Sequence, residues 1–384
     1  MAPFTTIPEQ LTQSIADTKV EYRQVGGLVV SNPIMGCMGI GDPEWWNWVV
    51  EEERALPLLK AAFDRGINTW DTANVYSNGL SETLIGRALC KYQIPRRKVV
   101  LISKVGRVMA DDGGEKDVVA FMAPLAARSK DLVNTYGRFN EFTITQQSTA
   151  DCSAPPPTGL SRKSIFHQVQ ESLTRLGTDY LDVIMIHRYD PQTPPEETMR
   201  ALHDLVTMGK VHYIGASSMW AHELATLNLI AERNGWHKIV CMENHYNLLY
   251  REEEREMNRY CRQNDIALLP WAPLASGHLA CPYDVYGQSP RTADDSENPR
   301  FSYGKSIEDR EIITRVATVA IRRGWTMTEV ALAWLNKRVT APVIGFTSVK
   351  RIEEALMARG KRLSPEEEAY LEEPYRAKEI EGHC

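Results

Sequence analysis

The chain has 384 residues, 43 % of them hydrophobic and 24 % charged, with a net charge of -6. That is an ordinary globular composition, and the length suits one α/β barrel of about 250 residues plus insertions. The basic residues do not cluster, no apolar run approaches the ~20 residues that cross a bilayer, and seven scattered cysteines show no zinc-ligand spacing, so nucleic acid, membrane and metal are not expected.

In chain order, Val20–Val30 carries Gly26-Gly27 between two extended runs and reads as a hairpin. Short β-branched runs then alternate with helical patterns. Strands are expected near 32–38, 67–72, 98–104, 180–187, 211–216, 238–243, 266–271 and 341–345. Helices are expected near 51–65, 80–91, 162–176, 196–209, 221–234, 253–264, 308–324 and 349–359. Eight strands in alternation with eight helices predict a (β/α)8 barrel, here as one domain over 1–384 with its core at about 20–358 and a tail at 359–384.

Two segments break the rhythm. About 50 residues, 107–159, intervene between the third strand and the third helix, and include the Pro-rich stretch 148–157. A loop that long at a barrel mouth is a lid over a site or an idle insertion, and both readings stand. The second segment, 280–306, carries Arg291 among Pro, Gly, Ser and Asp and reads as another loop at the same end. Met1-Ala2-Pro3-Phe4 lacks the charged start of a secretory signal, and the free-looking cysteines suit a reducing compartment, so a cytoplasmic location is the default expectation.

Four polar residues stand out. Asp71 closes the run that begins at Gly66, and Tyr76 follows five residues later on a polar loop. Lys104 ends Val99–Ser103, and His187 ends Val183–Ile186. Singly, each has a bland reading: a strand cap, a loop aromatic, a solvated strand end, a core histidine. Together, three of them at the carboxyl ends of parallel strands, they suit proton transfer. No G-x-G-x-x-G follows a strand, so a Rossmann site is not indicated.

The segment Gly66–Gly79 with the following Ser81-Glu82 strongly resembles the aldo-keto reductase superfamily. The likeness runs from about 20 to 358 and is strongest at 66–106 and 161–188, toward the branch of aryl-alcohol dehydrogenases and potassium-channel β-subunits. It implies the hairpin as a plug under the barrel and Tyr76, Lys104, Asp71 and His187 as the catalytic set. Tyr76 would be the acid. Lys104 would lower its pKa from the usual value of about 10, Asp71 would hold Lys104, and His187 would orient the carbonyl.

The resemblance also implies an extended NADPH or NADP+ over the barrel top. Ser217 matches the position that holds the carboxamide, with Ser218 beside it where relatives have Asn or Arg. Glu243 stands where glutamine is usual; an ionised glutamate accepts hydrogen bonds but donates none. Trp271 takes the ring-stacking role, and Pro273, Leu274, Ser276 and Gly277 form the loop at the pyrophosphate. Arg291 is a basic partner in the place of one missing near Cys281. At the last helix, Gly345, Thr347 and Arg351 suit the 2′-phosphate and Glu354 the adenine amine. Trp45, Trp46 and Trp48 then make an apolar wall for a flat or aromatic carbonyl substrate, or else cap the first helix. The leading expectation is an NADP-dependent carbonyl reductase; the rival is a nucleotide-sensing regulatory subunit. Oligomeric state is left open.

Overall fold

The computed structural model describes residues 20–107, 159–297 and 300–383. The Pro-rich stretch 148–157 and nearly all of the segment 107–159, on which the lid reading rests, lie outside the described residues. Strands β1 (Glu21–Val25) and β2 (Leu28–Asn32) form the antiparallel hairpin, in register from Glu21↔Asn32 to Val25↔Leu28. Val25 and Val30 are buried in one apolar cluster with Ile34, Val100, Ile102, Val183 and Met185. The hairpin therefore closes the end of the barrel at which the strands begin.

The barrel strands are β3 (Ile34–Gly36), β4 (Thr69–Asp71), β5 (Val100–Val105), β6 (Leu181–Ile186), β7 (Val211–Ser217), β8 (Ile239–Glu243), β9 (Ala267–Leu268) and β10 (Val343–Gly345). They form an eight-stranded parallel sheet in the order β10-β3-β4-β5-β6-β7-β8-β9. The two ends meet through Ala341 N to Leu268 O at 3.3 Å and Val343 N to Pro270 O at 2.9 Å, which closes the (β/α)8 barrel. Every residue of β5 and β6 is buried, as continuous apolar strands must be when a barrel interior lies on one side and helices on the other.

The helices are α1 (Glu52–Asp64), α2 (Leu80–Lys91), α3 (Arg162–Leu176), α4 (Pro195–Thr207), α5 (Ala221–Asn234), α6 (Met257–Gln263), α7 (Pro290–Glu297), α8 (Ile307–Arg323), α9 (Met327–Asn336), α10 (Val349–Leu356) and α11 (Pro365–Glu372). Their starts follow cap chemistry: the hydroxyls of Ser161, Ser306 and Ser348 accept from Ser164 N, Asp309 N and Arg351 N.

Three of these helices depart from the strict alternation expected. Helix α9 is buried almost throughout, from Met327 to Leu335, so no polar stripe marks it, although Thr326 and Glu329 form a capping box. Helix α11, in the expected tail, starts on the same device with Ser364 and Glu367. Helix α7 lies inside 280–306, which is thus not only loop. Among the described residues no helix is long and apolar enough to cross a membrane.

Candidate active site

The strand ends bring the four residues together. Asp71 is the last residue of β4, Lys104 the penultimate residue of β5, and His187 directly follows β6. Lys104 Nζ donates to Asp71 Oδ1 at 2.7 Å, Asp71 Oδ2 at 2.6 Å and Thr72 O at 3.0 Å. A fourth, longer contact reaches the Tyr76 hydroxyl at 3.4 Å. The Tyr76 ring meets the His187 ring edge-on, 6.0 Å between centroids.

Tyr76 is aimed by an irregular turn in which Ser77 and Asn78 have φ of 47° and 50°. Ser77 presses against Gly41, where any Cβ would collide with it, and accepts from Asp42 N at 3.1 Å. Gly41 is thus obligatory: it lets the loop after β3 lie directly on the turn that carries the tyrosine. Ser81-Glu82, singled out by its sequence pattern, is structural. Ser81 bonds Thr72 at 2.9 Å and Cys37 O at 2.9 Å, while Glu82 accepts from Ser103 at 2.5 Å and Arg175 at 2.7 Å.

Electrostatics differ from expectation at the tyrosine. Lys104 alone would lower its pKa, but burial raises it first and Asp71 and Glu243 add to the rise, so the phenol is pushed up to about 12. The lysine's charge is already balanced by carboxylates, and burial wins. Those carboxylates hold Lys104 above the usual ammonium range even though burial alone would lower it. Burial, then Arg107, Arg188 and Lys104, keep His187 well below the usual histidine range. Its imidazole is therefore neutral at neutral pH and carries one N–H donor.

Glu243, the last residue of β8, reaches into this cluster. Its Oε2 lies 3.2 Å from Lys104 Nζ, and both side chains are at most 3 % exposed. That oxygen has no hydrogen-bond partner among the described residues, because the approach to Nζ is an ion-pair distance without hydrogen-bond geometry.

The residues expected around a dinucleotide line the same mouth. Ser217 donates to Glu243 O at 2.9 Å and accepts from Arg188 at 3.1 Å. Ser218 accepts from Trp271 Nε1 at 2.9 Å, so its hydroxyl holds the indole. Trp271 is half-buried and stacks on His245, 4.0 Å away at 12°, which in turn stacks on Tyr250. After Pro273 and Leu274 the backbone turns left-handed at Ala275 and Ser276 (φ 48° and 53°), and Ser276 Oγ is buried without a hydrogen-bond partner among the described residues. Gly345 and Thr347 are exposed ahead of α10, and Arg351 pairs with Glu354 at 2.8 Å. An orphaned hydroxyl beside Gly277, a partly open indole and a helix start with an exposed arginine fit a nicotinamide dinucleotide.

The three tryptophans expected on the substrate side are buried. Trp45, Trp46 and Trp48 are all 5–6 % exposed and form a packed cluster rather than an open wall. Trp45 lies 6.3 Å from the Tyr76 ring and 4.0 Å from Trp46. Trp48 donates to Asp294 at 3.1 Å and carries the Arg291 guanidinium 3.6 Å over its ring. Helix α7 thus folds Arg291 onto a tryptophan, and burial lowers its pKa to about 10. The structure brings together Arg291, expected at the dinucleotide, and Trp48, expected at the substrate.

Sequence reasoning missed three contributors. Arg188 links His187 O and Ser217, and its neighbour His187 was the only signal. His245 supports Trp271 and bonds Tyr303. The tail beyond α11 returns to the mouth: Glu381 bonds Tyr250 and Ser302, His383 pairs with Glu253 at 2.7 Å, and a Cβ on Gly382 would meet the Trp271 ring at 2.9 Å. No cluster of metal-holding geometry occurs among the described residues, where Cys37, Cys90, Cys241, Cys261 and Cys281 are free.

A model of the aldo/keto reductase family matches residues 34–376. Aldo-keto reductase AFTS1 of Alternaria alternata is 51 % identical over 382 residues, spanning 98 % of both chains. Versiconal hemiacetal acetate reductase of Aspergillus parasiticus is 44 % identical over 364 residues, spanning 94 % of this chain and 98 % of that one. A putative aryl-alcohol dehydrogenase of Schizosaccharomyces pombe is 41 % identical over 358 residues, with coverage of 93 % and 95 %.

Proposed function

The chain belongs to the aldo/keto reductase family and is an oxidoreductase of that family, and on that premise we propose that it reduces an aromatic aldehyde or ketone with NADPH, Tyr76 giving the proton. The observation that carries this is Lys104, set between the Asp71 carboxylate and the Tyr76 hydroxyl. When bound, the reduced nicotinamide supplies the hydride. The protein's own groups do the rest. Tyr76 keeps its proton at neutral pH and can give it to the substrate oxygen, while Lys104 stabilises the phenolate that forms. Neutral His187 offers an N–H to the same oxygen, and Asp71 fixes the ammonium.

Ser217, Ser218, Glu243, Trp271, the loop Pro273–Gly277, and Gly345, Thr347, Arg351 and Glu354 are assigned to the dinucleotide. Arg351 fits a 2′-phosphate as a two-pronged donor, which supports NADP(H). Trp45, the tryptophan nearest Tyr76, is assigned to the substrate. The names of the relatives, an aryl-alcohol dehydrogenase and a hemiacetal acetate reductase, support an aromatic or masked-aldehyde substrate. A cytoplasmic setting is part of the same reading.

The test is turnover of an aromatic aldehyde by the purified protein with NADPH, followed at the nicotinamide absorbance. Aldehyde-dependent oxidation of NADPH is expected. Tight NADPH binding without turnover of any aldehyde or ketone would favour the nucleotide-sensing role instead.

A further inference from the structure

Glu243 makes this cluster unusual in its charge. Two carboxylates, Asp71 and Glu243, lie within ion-pair distance of one ammonium, Lys104, and all three side chains are 1–3 % exposed. The other titratable groups facing them are Tyr76 from its turn, Cys241 from the strand of Glu243, and Cys37 and His187 beside Asp71 and Lys104, with the buried cations Arg107 and Arg188 on the far side next to His187. Burial keeps both thiols protonated and the imidazole uncharged. Fully ionised, Asp71, Glu243 and Lys104 by themselves would bury one excess negative charge, which is costly.

We propose that Asp71 and Glu243 share one proton around Lys104, and that this proton restores Tyr76 after it has protonated the substrate oxygen. The geometry that supports the shared proton is the approach of both carboxylates to one ammonium. Asp71 spends both oxygens on Lys104, while Glu243 Oε2 is buried without a hydrogen-bond partner among the described residues. A proton on the pair removes the excess charge. Burial first and Glu243 second also lift the Asp71 carboxyl well above the usual range against the pull of Lys104. The proton belongs to the pair rather than to one oxygen.

The second half rests on the reductase reading, and its steps balance. The substrate carbon gains a hydride from the reduced nicotinamide, and the Tyr76 O–H bond breaks as the substrate O–H forms. The phenolate takes a proton from the Lys104 ammonium, and the lysine amine takes the shared one. Both carboxylates are then ionised, a gain of one negative charge that the positive ring of an oxidised nicotinamide, when bound, would offset. The cluster and ring together remain neutral before and after the reaction. The pair regains its proton from solvent once the oxidised cofactor leaves.

Two measurements on the full-length protein test this. In the infrared, the cofactor-free wild type at neutral pH should show the carbonyl stretch of a protonated buried carboxyl, absent from the near-isosteric Glu243→Gln and from Asp71→Asn. Near-ultraviolet circular dichroism confirms that both variants fold; if one does not, the other decides. Calorimetry in buffers of different ionisation enthalpy should then find about one proton released per NADP+ bound by wild type, close to none per NADPH, and close to none with either cofactor for Glu243→Gln. A wild type without the infrared band, or with the same band in both variants, overturns the shared proton. A band together with equal proton release for both cofactors overturns its link to the reaction. If no nicotinamide dinucleotide binds, the reductase reading and the restoring step fail together, while the infrared band still decides the shared proton.

Discussion

Lys104 donates to both carboxylate oxygens of Asp71, at 2.7 and 2.6 Å, with the two side chains only 1 % and 2 % exposed. A buried pair like this contributes little net stability when intact, but removing one partner leaves the other unbalanced. Lys104→Met would leave Asp71 and Glu243 together without their cation. It should lower unfolding stability in urea by about 3–5 kcal/mol as well as abolish turnover. An unchanged urea midpoint would mean that the carboxyls are neutralised without the lysine.

The pH profile follows from the phenol. Reduction needs protonated Tyr76, and with its pKa raised to about 12 the rate should show no descending limb from this residue in the neutral to moderately alkaline range. Alcohol oxidation needs the phenolate and should climb steadily with pH over that range, because the ionised fraction rises about tenfold per unit below the pKa. Profiles of kcat/KM in both directions check this. An oxidation rate that levels off near neutrality would show that Lys104 dominates the tyrosine after all.

Arg351→Ala should weaken NADPH far more than NADH, since only the former carries the 2′-phosphate. A charge-assisted hydrogen bond is worth about 1.5–3 kcal/mol, so roughly a ten- to hundredfold loss is expected in fluorescence titrations. Equal weakening of both would move Arg351 to the shared pyrophosphate or to a purely structural role, such as its pairing with Glu354.

Much of this was legible because the barrel writes its site at strand ends. An apolar run that stops on Asp71, Lys104 or His187 is a local signal. What was not legible is non-local. Arg291 has the residue type of a phosphate ligand, yet helix α7 lays it on Trp48, some 240 residues away in the chain. The tryptophans look like a wall until the second segment packs over them. Helix α9 lacks a polar face because it is covered on all sides, so periodicity has nothing to report. The Tyr76 pKa depended on counting carboxylates around Lys104, and Glu243 enters that count only through the fold.

Glu243 also biases the cofactor's redox forms. A carboxyl able to ionise beside the nicotinamide favours the positive oxidised ring, by a few kcal/mol at most at about 4–6 Å, and Lys104 at 3.2 Å offsets part of it. Glu243→Gln should therefore lower NADP+ affinity relative to NADPH by no more than about tenfold. Titrating both forms against both proteins measures the ratio, and an unchanged ratio would show that the ring does not feel this side chain.

The claim on which the rest depends is that Tyr76 is the proton donor. Its most direct test is Tyr76→Phe, assayed with NADPH and an aromatic aldehyde beside an NADPH binding titration. The hydroxyl contributes mainly in the transition state, so NADPH affinity should be kept while kcat falls by at least about 10²-fold. Equal turnover by wild type and Tyr76→Phe would contradict the assignment outright.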